Sequence, residues 1–281
     1  MVGRNRVYVS RILLLIFFLC LGAITLFPFY FLVVSSFRNV QELFNGGFRL
    51  ALDVKNMTLS NYLLLFTKNG SIYFSWYKNS ILITSLFTIF SLTLSSLVGY
   101  GLGAYVFKGR NLIFTLVLFL LMMPLEILML PLYKLLVTVR LINTYAGVIL
   151  PFVVSPAGVF FFRQFTTGIP KDYMDAGRMD GCTEYGIYLR IMAPLMRPAF
   201  GAMAILLAMR EWNDFLWPLI VLRTSDHLTI PVGLASLMSP YGNTYDMMLS
   251  GAVLAIIPIV ILFLFNQRAF VTGLTVGGIK G

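Results

Sequence analysis

Six long apolar runs leave this chain few ways to fold. They fall near residues 11–36, 79–106, 112–138, 144–165, 198–222 and 245–267, each reaching the roughly 20 residues that a helix needs to cross the hydrocarbon layer. A backbone surrounded by lipid must satisfy its own N–H and C=O groups, so such runs predict helices and not open sheets. A mean hydropathy of +0.87 with only 11% charged residues excludes an ordinary soluble domain. The expected fold is an all-α polytopic membrane protein with six transmembrane helices.

The first run follows Arg4, Arg6 and Arg11, as a secretory leader would. It is too long for a leader's apolar region and no Ala-x-Ala site follows, so residues 11–36 are expected to be a retained span. Residues 37–78 form a mixed extramembrane loop, with turn signals at Asn45, Gly46, Gly47, Asn69 and Gly70 around a short amphipathic helix at 61–66. Cys20 and Cys182 suggest neither a disulfide framework nor a metal site, and His227, the only histidine, reads as a solvated loop residue. No catalytic, metal-binding or cofactor-binding set is expected in this chain.

Inside the runs, small and polar residues carry the information. Ser91, Ser95, Gly99 and Gly103 recur every four residues on one face, a ridge that lets two helix backbones approach closely. Pro124 and Pro131 should kink or interrupt the third run, and Glu126 between them is an ionisable group at membrane depth. Glu126 has two open roles, a hydrogen bond to a neighbouring helix or a place along a transport path. The fifth run holds Arg210, Glu211, Asn213 and Asp214. Arg210 and Asp214, four apart, can pair on one helix face; alternatively Asn213 and Asp214 line a path, with Trp212 or Trp217 offering a flat apolar face.

The formal charge of +10 would suggest nucleic acid in a soluble protein, but the basic residues scatter over loops with no nucleic-acid motif. Topology explains them better. With a cytoplasmic N-terminus, Arg4, Arg6, Arg11, Lys108, Arg110, Arg163, Lys171, Arg178, Arg190, Arg197, Arg268 and Lys280 fall inside, twelve against the seven outside (Arg38, Arg49, Lys55, Lys68, Lys78, Arg140 and Arg223), which puts both termini inside. The expected layout is a cytoplasmic tail at 1–10, membrane domain at 11–267, extracytoplasmic loops at 37–78 and 223–244, and a cytoplasmic tail at 268–281.

Between the fourth and fifth helices lies a polar interruption, IPKDYMDAGRMDGCTEYGIYLRIMAPLMRP at 169–198, which holds Asp172, Asp175, Asp180 and Glu184. Pro170 and Asp172 suit a helix start and Gly181 suits its end near residue 180. Thr183 is placed to cap a second helix running to Ile191, before Pro194 and Pro198 turn the chain. The prediction is a short helix outside the bilayer, within a cytoplasmic loop at 166–197.

The spacing of Asp175, Ala176, Gly177, Gly181, Ile191 and Pro194 resembles the cytoplasmic loop of permease subunits of ATP-binding-cassette importers. That family's pattern is E-A-A, three residues, G, nine residues, I-x-L-P; Asp175, Gly177 and Ala193 depart from it. PLYKLL at 131–136, INTYAGVILPF at 142–152, EWNDFLWPL at 211–219 and the terminal GLTVGGIKG are similar to its carbohydrate branch, the maltose-permease type. The resemblance implies that residues Asp172 to Pro194, with Asp180 and Gly181 at the turn, form a coupling helix that docks on a separate ATPase.

It further implies a second homologous permease subunit, a dimer of ATP-binding subunits carrying ATP and Mg, an extracytoplasmic sugar-binding protein, and a bacterial inner-membrane location. The sequence has no G-x-x-x-x-G-K-[ST] loop with which to hold ATP itself. A competing reading is an ion-coupled secondary transporter built on Glu126, Arg210 and Asp214.

Overall fold

The computed structural model describes residues 2–39, 57–67, 71–238 and 244–278, and among these every regular element is helical. The turns expected at residues 45–47 and 69–70, and in the loop around 239–243, lie outside the described residues. In chain order the helices are α1 (Val2–Ser36), α2 (Ser60–Thr67), α3 (Ile72–Ala104), α4 (Arg110–Met122), α5 (Leu125–Thr138), α6 (Tyr145–Ile149), α7 (Pro156–Thr167) and α8 (Asp172–Met179). They continue as α9 (Glu184–Leu195), α10 (Arg197–Trp212), α11 (Leu216–Val221), α12 (Ile230–Ser236) and α13 (Tyr245–Gly278).

Three of these, within α1, α3 and α13, are long and apolar enough to cross a membrane, and the number rises to six if each of three bent pairs is one span. The pairs are α4 with α5, bent by 103°, residues 145–152 with α7, bent by 43°, and α9 with α10, bent by 77°. Exposed leucines, isoleucines and phenylalanines cover the membrane-length part of α1, for example Ile24 and Leu26. Apolar surface on that scale is tolerated where lipid is the solvent.

The two prolines of the third run behave differently. Pro124 sits at the N-cap of α5 with Met123 extended before it, and the helix breaks there; Pro131 lies inside α5 without ending it. The residue before a proline is driven out of the helical region, so the bend falls at Met123. The fifth run is also divided, against expectation. Its helix α10 stops at Trp212 and resumes as α11 at Leu216, because Asn213 and Asp214 are poor helix-interior residues that favour caps and turns. At the other end of the chain, the glycine-rich tail stays helical as far as Gly278.

The described residues form two compact units. In the first, residues 1–74 with 234–256, Asn61 donates to the carbonyls of Ser36 and Arg38 at 2.8 Å each, and Tyr62 and Ser36 share a hydrogen bond. Tyr73 donates to Gly251 O at 2.8 Å, so polar contacts hold the end of α1 to α2 and the start of α3 to α13.

The second unit, residues 75–233 with 257–281, is built on the small-residue ridge of α3. A Cβ on Gly99 would lie 2.6 Å from Phe162 Cβ and 2.8 Å from Val159 O, and one on Gly103 would lie 2.8 Å from Thr166 Cβ. Across the same seam Ser95 Oγ accepts the N–H of Ser155, and Gly158 returns the close approach against Ser95. The ridge is therefore the α3–α7 packing surface. On its other flank α7 meets α4, with Phe160 stacked on Phe114 and Arg163 3.6 Å above the Phe114 ring.

Gly99→Leu should destabilise the protein by at least about 1–3 kcal/mol, since backbone of α7 would have to move. Gly101, which faces open space, is the control. Thermal unfolding in detergent should show a clear fall in midpoint for Gly99→Leu and little change for Gly101→Leu.

Candidate coupling site

The polar interruption folds as two helices around one left-handed glycine. Helix α8 ends with Gly181 at φ +77°; Cys182 N–H donates to Gly177 O and Gly181 N–H to Arg178 O, both at 3.0 Å. This double bond pattern closes the helix end as a Schellman motif, and a residue without Cβ suits its turning position. Thr183 then caps α9, its hydroxyl accepting the N–H of Gly186 at 3.1 Å. Pro194 lies inside α9 without breaking it. A π-helical turn at Tyr188–Met192 precedes it, and this wider winding accommodates a residue with no N–H to give. The chain turns at Met196, two residues later, into α10.

Helix α8 folds back on α9 through Gly177, which is buried. A Cβ there would come within 2.6 Å of Ile191 Cδ1 and 3.2 Å of Ile187 Cγ1. Two residues that the spacing had singled out, Gly177 and Ile191, thus face each other, and the glycine that departs from the family pattern is a contact point. Asp172, Asp175, Ala176, Asp180 and Gly181 lie on the exposed side, and Pro194 is half-buried on α9. Met179 is 90% exposed, Tyr185 82% and Leu189 66%. These large apolar side chains around an open glycine turn form a surface that none of the described residues covers.

An ion-pair cluster that sequence reading missed fixes the two helices to each other and to α3. Arg178 donates from Nε to Glu184 Oε1 at 2.8 Å, from Nη2 to Oε2 at 3.3 Å, and from Nη1 to Asp175 Oδ1 at 2.8 Å. The hydrogen bond to Glu184 holds the guanidinium above its ordinary pKa. Tyr105, just past the end of α3, donates to Glu184 and stands 3.1 Å from the Tyr100 hydroxyl. Burial first, and the bond to Glu184 second, push the Tyr105 phenol above its usual range. Tyr188 on α9 shares a 2.7 Å hydrogen bond with Ser96 of α3, and its ring packs on Tyr100. The pairing of residues 178 and 184 spans a turn, so no helical periodicity announces it.

The residues considered for a solute path separate. Glu126 lies exposed in the first turn of α5. Asn213 caps α10, donating to Met209 O at 2.7 Å. Asp214 does not pair with Arg210: the helix ends before it, the i, i+4 register is lost, and its carboxylate lies against the backbone N–H groups of Trp217, Phe215 and Leu216. Trp217 is fully buried, edge-on to Phe152 with its indole N–H given to Gly147 O. Its ring belongs to the core and has no face to offer a solute. An open cavity of about 610 Å³ lies nearby between α5 and α11, lined by Met129, Leu130, Tyr133, Leu219, Ile220 and Arg223.

Residues 95–276 match the family described as "Binding-protein-dependent transport system inner membrane component". The chain belongs to that family. It is 56% identical over 273 residues to the arabinooligosaccharides transport system permease protein AraQ of Bacillus subtilis (strain 168), covering 97% of each chain. It is 33% identical to the trehalose/maltose transport system permease protein MalG of Thermococcus litoralis, over 97% of this chain and 98% of that one. Among solved structures, a chain of a bacterial ABC transporter that imports the acidic polysaccharide alginate superposes with a TM-score of 0.81 at 21% identity, covering 95% of this chain and 97% of that one. The last likeness concerns the fold.

Two glycine substitutions should part company. Gly181→Ala places a Cβ in a left-handed conformation and should cost about 1–2 kcal/mol. Gly177→Ala presses on the movable end of Ile191 and, more lightly, on Ile187 Cγ1, and gains helix propensity, so its effect should stay within about 1 kcal/mol. Thermal unfolding of the two purified variants beside the parent checks the order.

Proposed function

We propose that this chain is one permease subunit of an ATP-driven sugar importer, and that residues 169–198 are where a separate ATPase grips it. The observation that carries the reading is the turn at Gly181: an exposed helix end, rigidly backed by Gly177, Ile187 and Ile191 and rimmed by Met179, Tyr185 and Leu189. Such a rim suits the cleft of a partner protein. Asp172, Asp175, Ala176 and Asp180 face the same partner.

The family description, together with sugar-system relatives along nearly the whole chain, supports the remaining assembly. A second homologous permease subunit completes the pore, two ATP-binding subunits hold ATP and Mg, and an extracytoplasmic binding protein delivers the sugar. The relative from Bacillus subtilis supports arabinose oligomers as the solute class. Six spans are assigned by taking each bent pair as one, with both termini and the 166–197 loop in the cytoplasm. In alternating access, closure of the ATPases tilts the loop and the spans joined to it as a body. The chain itself hydrolyses nothing.

Glu126, Asn213 and Asp214 are assigned to the solute path as hydrogen-bonding groups on the interruptions of apolar runs. Trp217 is withdrawn from that role. Ion coupling through Arg210 and Asp214 has no pairing geometry behind it, and the family membership does not favour it.

In proteoliposomes holding the whole complex, uptake of arabinose oligomers should require ATP inside or at the ATPase face and should survive collapse of proton and sodium gradients. Uptake that follows either gradient instead would overturn the assignment. Gly181→Trp should lower sugar-stimulated ATP hydrolysis at least about tenfold, the loss expected when a packed contact worth some 1.4 kcal/mol is removed. Parent-like stimulation would rule out docking at Gly181.

A further inference from the structure

The geometry points to α3 as a strut that links the docking loop on one side of the membrane to the 222–230 segment on the other, fastened to each by side-chain hydrogen bonds. The inference rests on the reading of residues 169–198 as the docking loop and adds a path by which that loop communicates across the bilayer.

At the docking end, Ser96, Tyr100 and Tyr105 hold α9 through Tyr188 and Glu184, and Arg178 extends the hold to α8. At the opposite end of the same helix, Trp76 gives its indole N–H to Ser225 O at 2.6 Å. Asn79 donates to Asp226 O at 2.7 Å and to Leu228 O at 3.0 Å, and its carbonyl oxygen accepts the Tyr145 hydroxyl. Ser80 Oγ accepts the N–H of Ile230 at 2.8 Å. Between Asn79 and Tyr100 an α-helix rises about 32 Å, close to the thickness of the hydrocarbon layer, about 30 Å. The two fastenings are therefore about one membrane thickness apart, and α3 is locked to α7 at Gly99 and Gly103, beside the docking-end bonds.

At the far end the buried side chains of Trp76, Asn79 and Ser80 bond to backbone groups, which fixes that segment more firmly than apolar contact does, because an unmade bond leaves a desolvated polar group. The chain itself joins residues 169–198 to residues 222–230 through α10 and α11, which are interrupted at residues 213–215, and α3 adds an unbroken second link. A tilt of the docking loop would be carried by α3 to the 222–230 segment, and a protein pressing on that segment would be felt at the docking loop, since coupling between two sites is reciprocal. The partner that fits the far end is the sugar-loaded binding protein of the proposed assembly.

The test is a double-mutant cycle on the complete complex in proteoliposomes. Tyr105→Phe removes the docking-end bonds to Glu184 and Tyr100, Asn79→Ala removes the far-end bonds to Asp226, Leu228 and Tyr145, and the readouts are basal ATP hydrolysis and its stimulation by sugar-loaded binding protein. Each single variant should keep basal hydrolysis within about twofold and cut stimulation about three- to tenfold, the scale of one hydrogen bond. The double variant should be no worse than the weaker single, because both break one strut. Losses that multiply, or a single variant with parent-like stimulation, overturn the strut. If Asn79→Ala does not assemble, Trp76→Phe, which keeps an aromatic ring but loses the indole N–H bond to Ser225 O, takes its place under the same criteria. A parent complex that shows no stimulation contradicts the importer reading itself, which keeps the two failures apart.

Discussion

The close approach of α3 and α7 at Gly99 and Gly103 is the constraint on which the second unit depends. Helices in lipid gain no hydrophobic free energy by meeting, so contact has to come from backbones brought together. A Cβ at Gly99 would lie 2.6 Å from Phe162 Cβ, so the seam would have to open. Because α7 leads directly into the polar loop, the seam also decides where α8 and α9 stand relative to the end of α3. Tyr105 reaches Glu184, and Tyr188 reaches Ser96, only because the two helices lie this close.

The loop itself is stiff for local reasons. A left-handed glycine with two closing bonds, a threonine cap and the buried Gly177 contact leave α8 and α9 few ways to move independently. The Arg178 fork adds direction more than stability, since its groups are exposed and such pairs contribute little in water. Stiffness is what a part that transmits motion requires. The membership of the chain in a binding-protein-dependent transport family gives that stiffness a use.

Features written in composition or short spacing were legible in the sequence. Long apolar runs announce helices, the four-residue ridge from Ser91 to Gly103 announces a packing seam, and Gly181 with Thr183 announces a stop and a start. Features decided by competition were not legible. Pro124 breaks its helix while Pro131 does not, because only the former coincides with an extended residue before it and a cap position. Asn213 and Asp214 were read as passengers in a helix that they in fact end, and the expected Arg210–Asp214 pair dissolved with that register. Trp217 looked like a path residue because its neighbours are polar; the core around Phe152 and Gly147 claims it. The Arg178–Glu184–Tyr105 cluster depends on tertiary folding and carries no periodic signal.

The account stands or falls on whether the turn at Gly181 meets an ATPase. The most direct measurement is a cysteine crosslink from position 179, where Met179 is 90% exposed, in a chain whose Cys20 and Cys182 have been replaced by serine. With Met179→Cys in the assembled complex, a short bifunctional reagent should join this chain to the ATP-binding subunit, with a yield that changes when ATP is bound. A complex that assembles and transports but gives no such adduct, with or without nucleotide, would contradict the central claim.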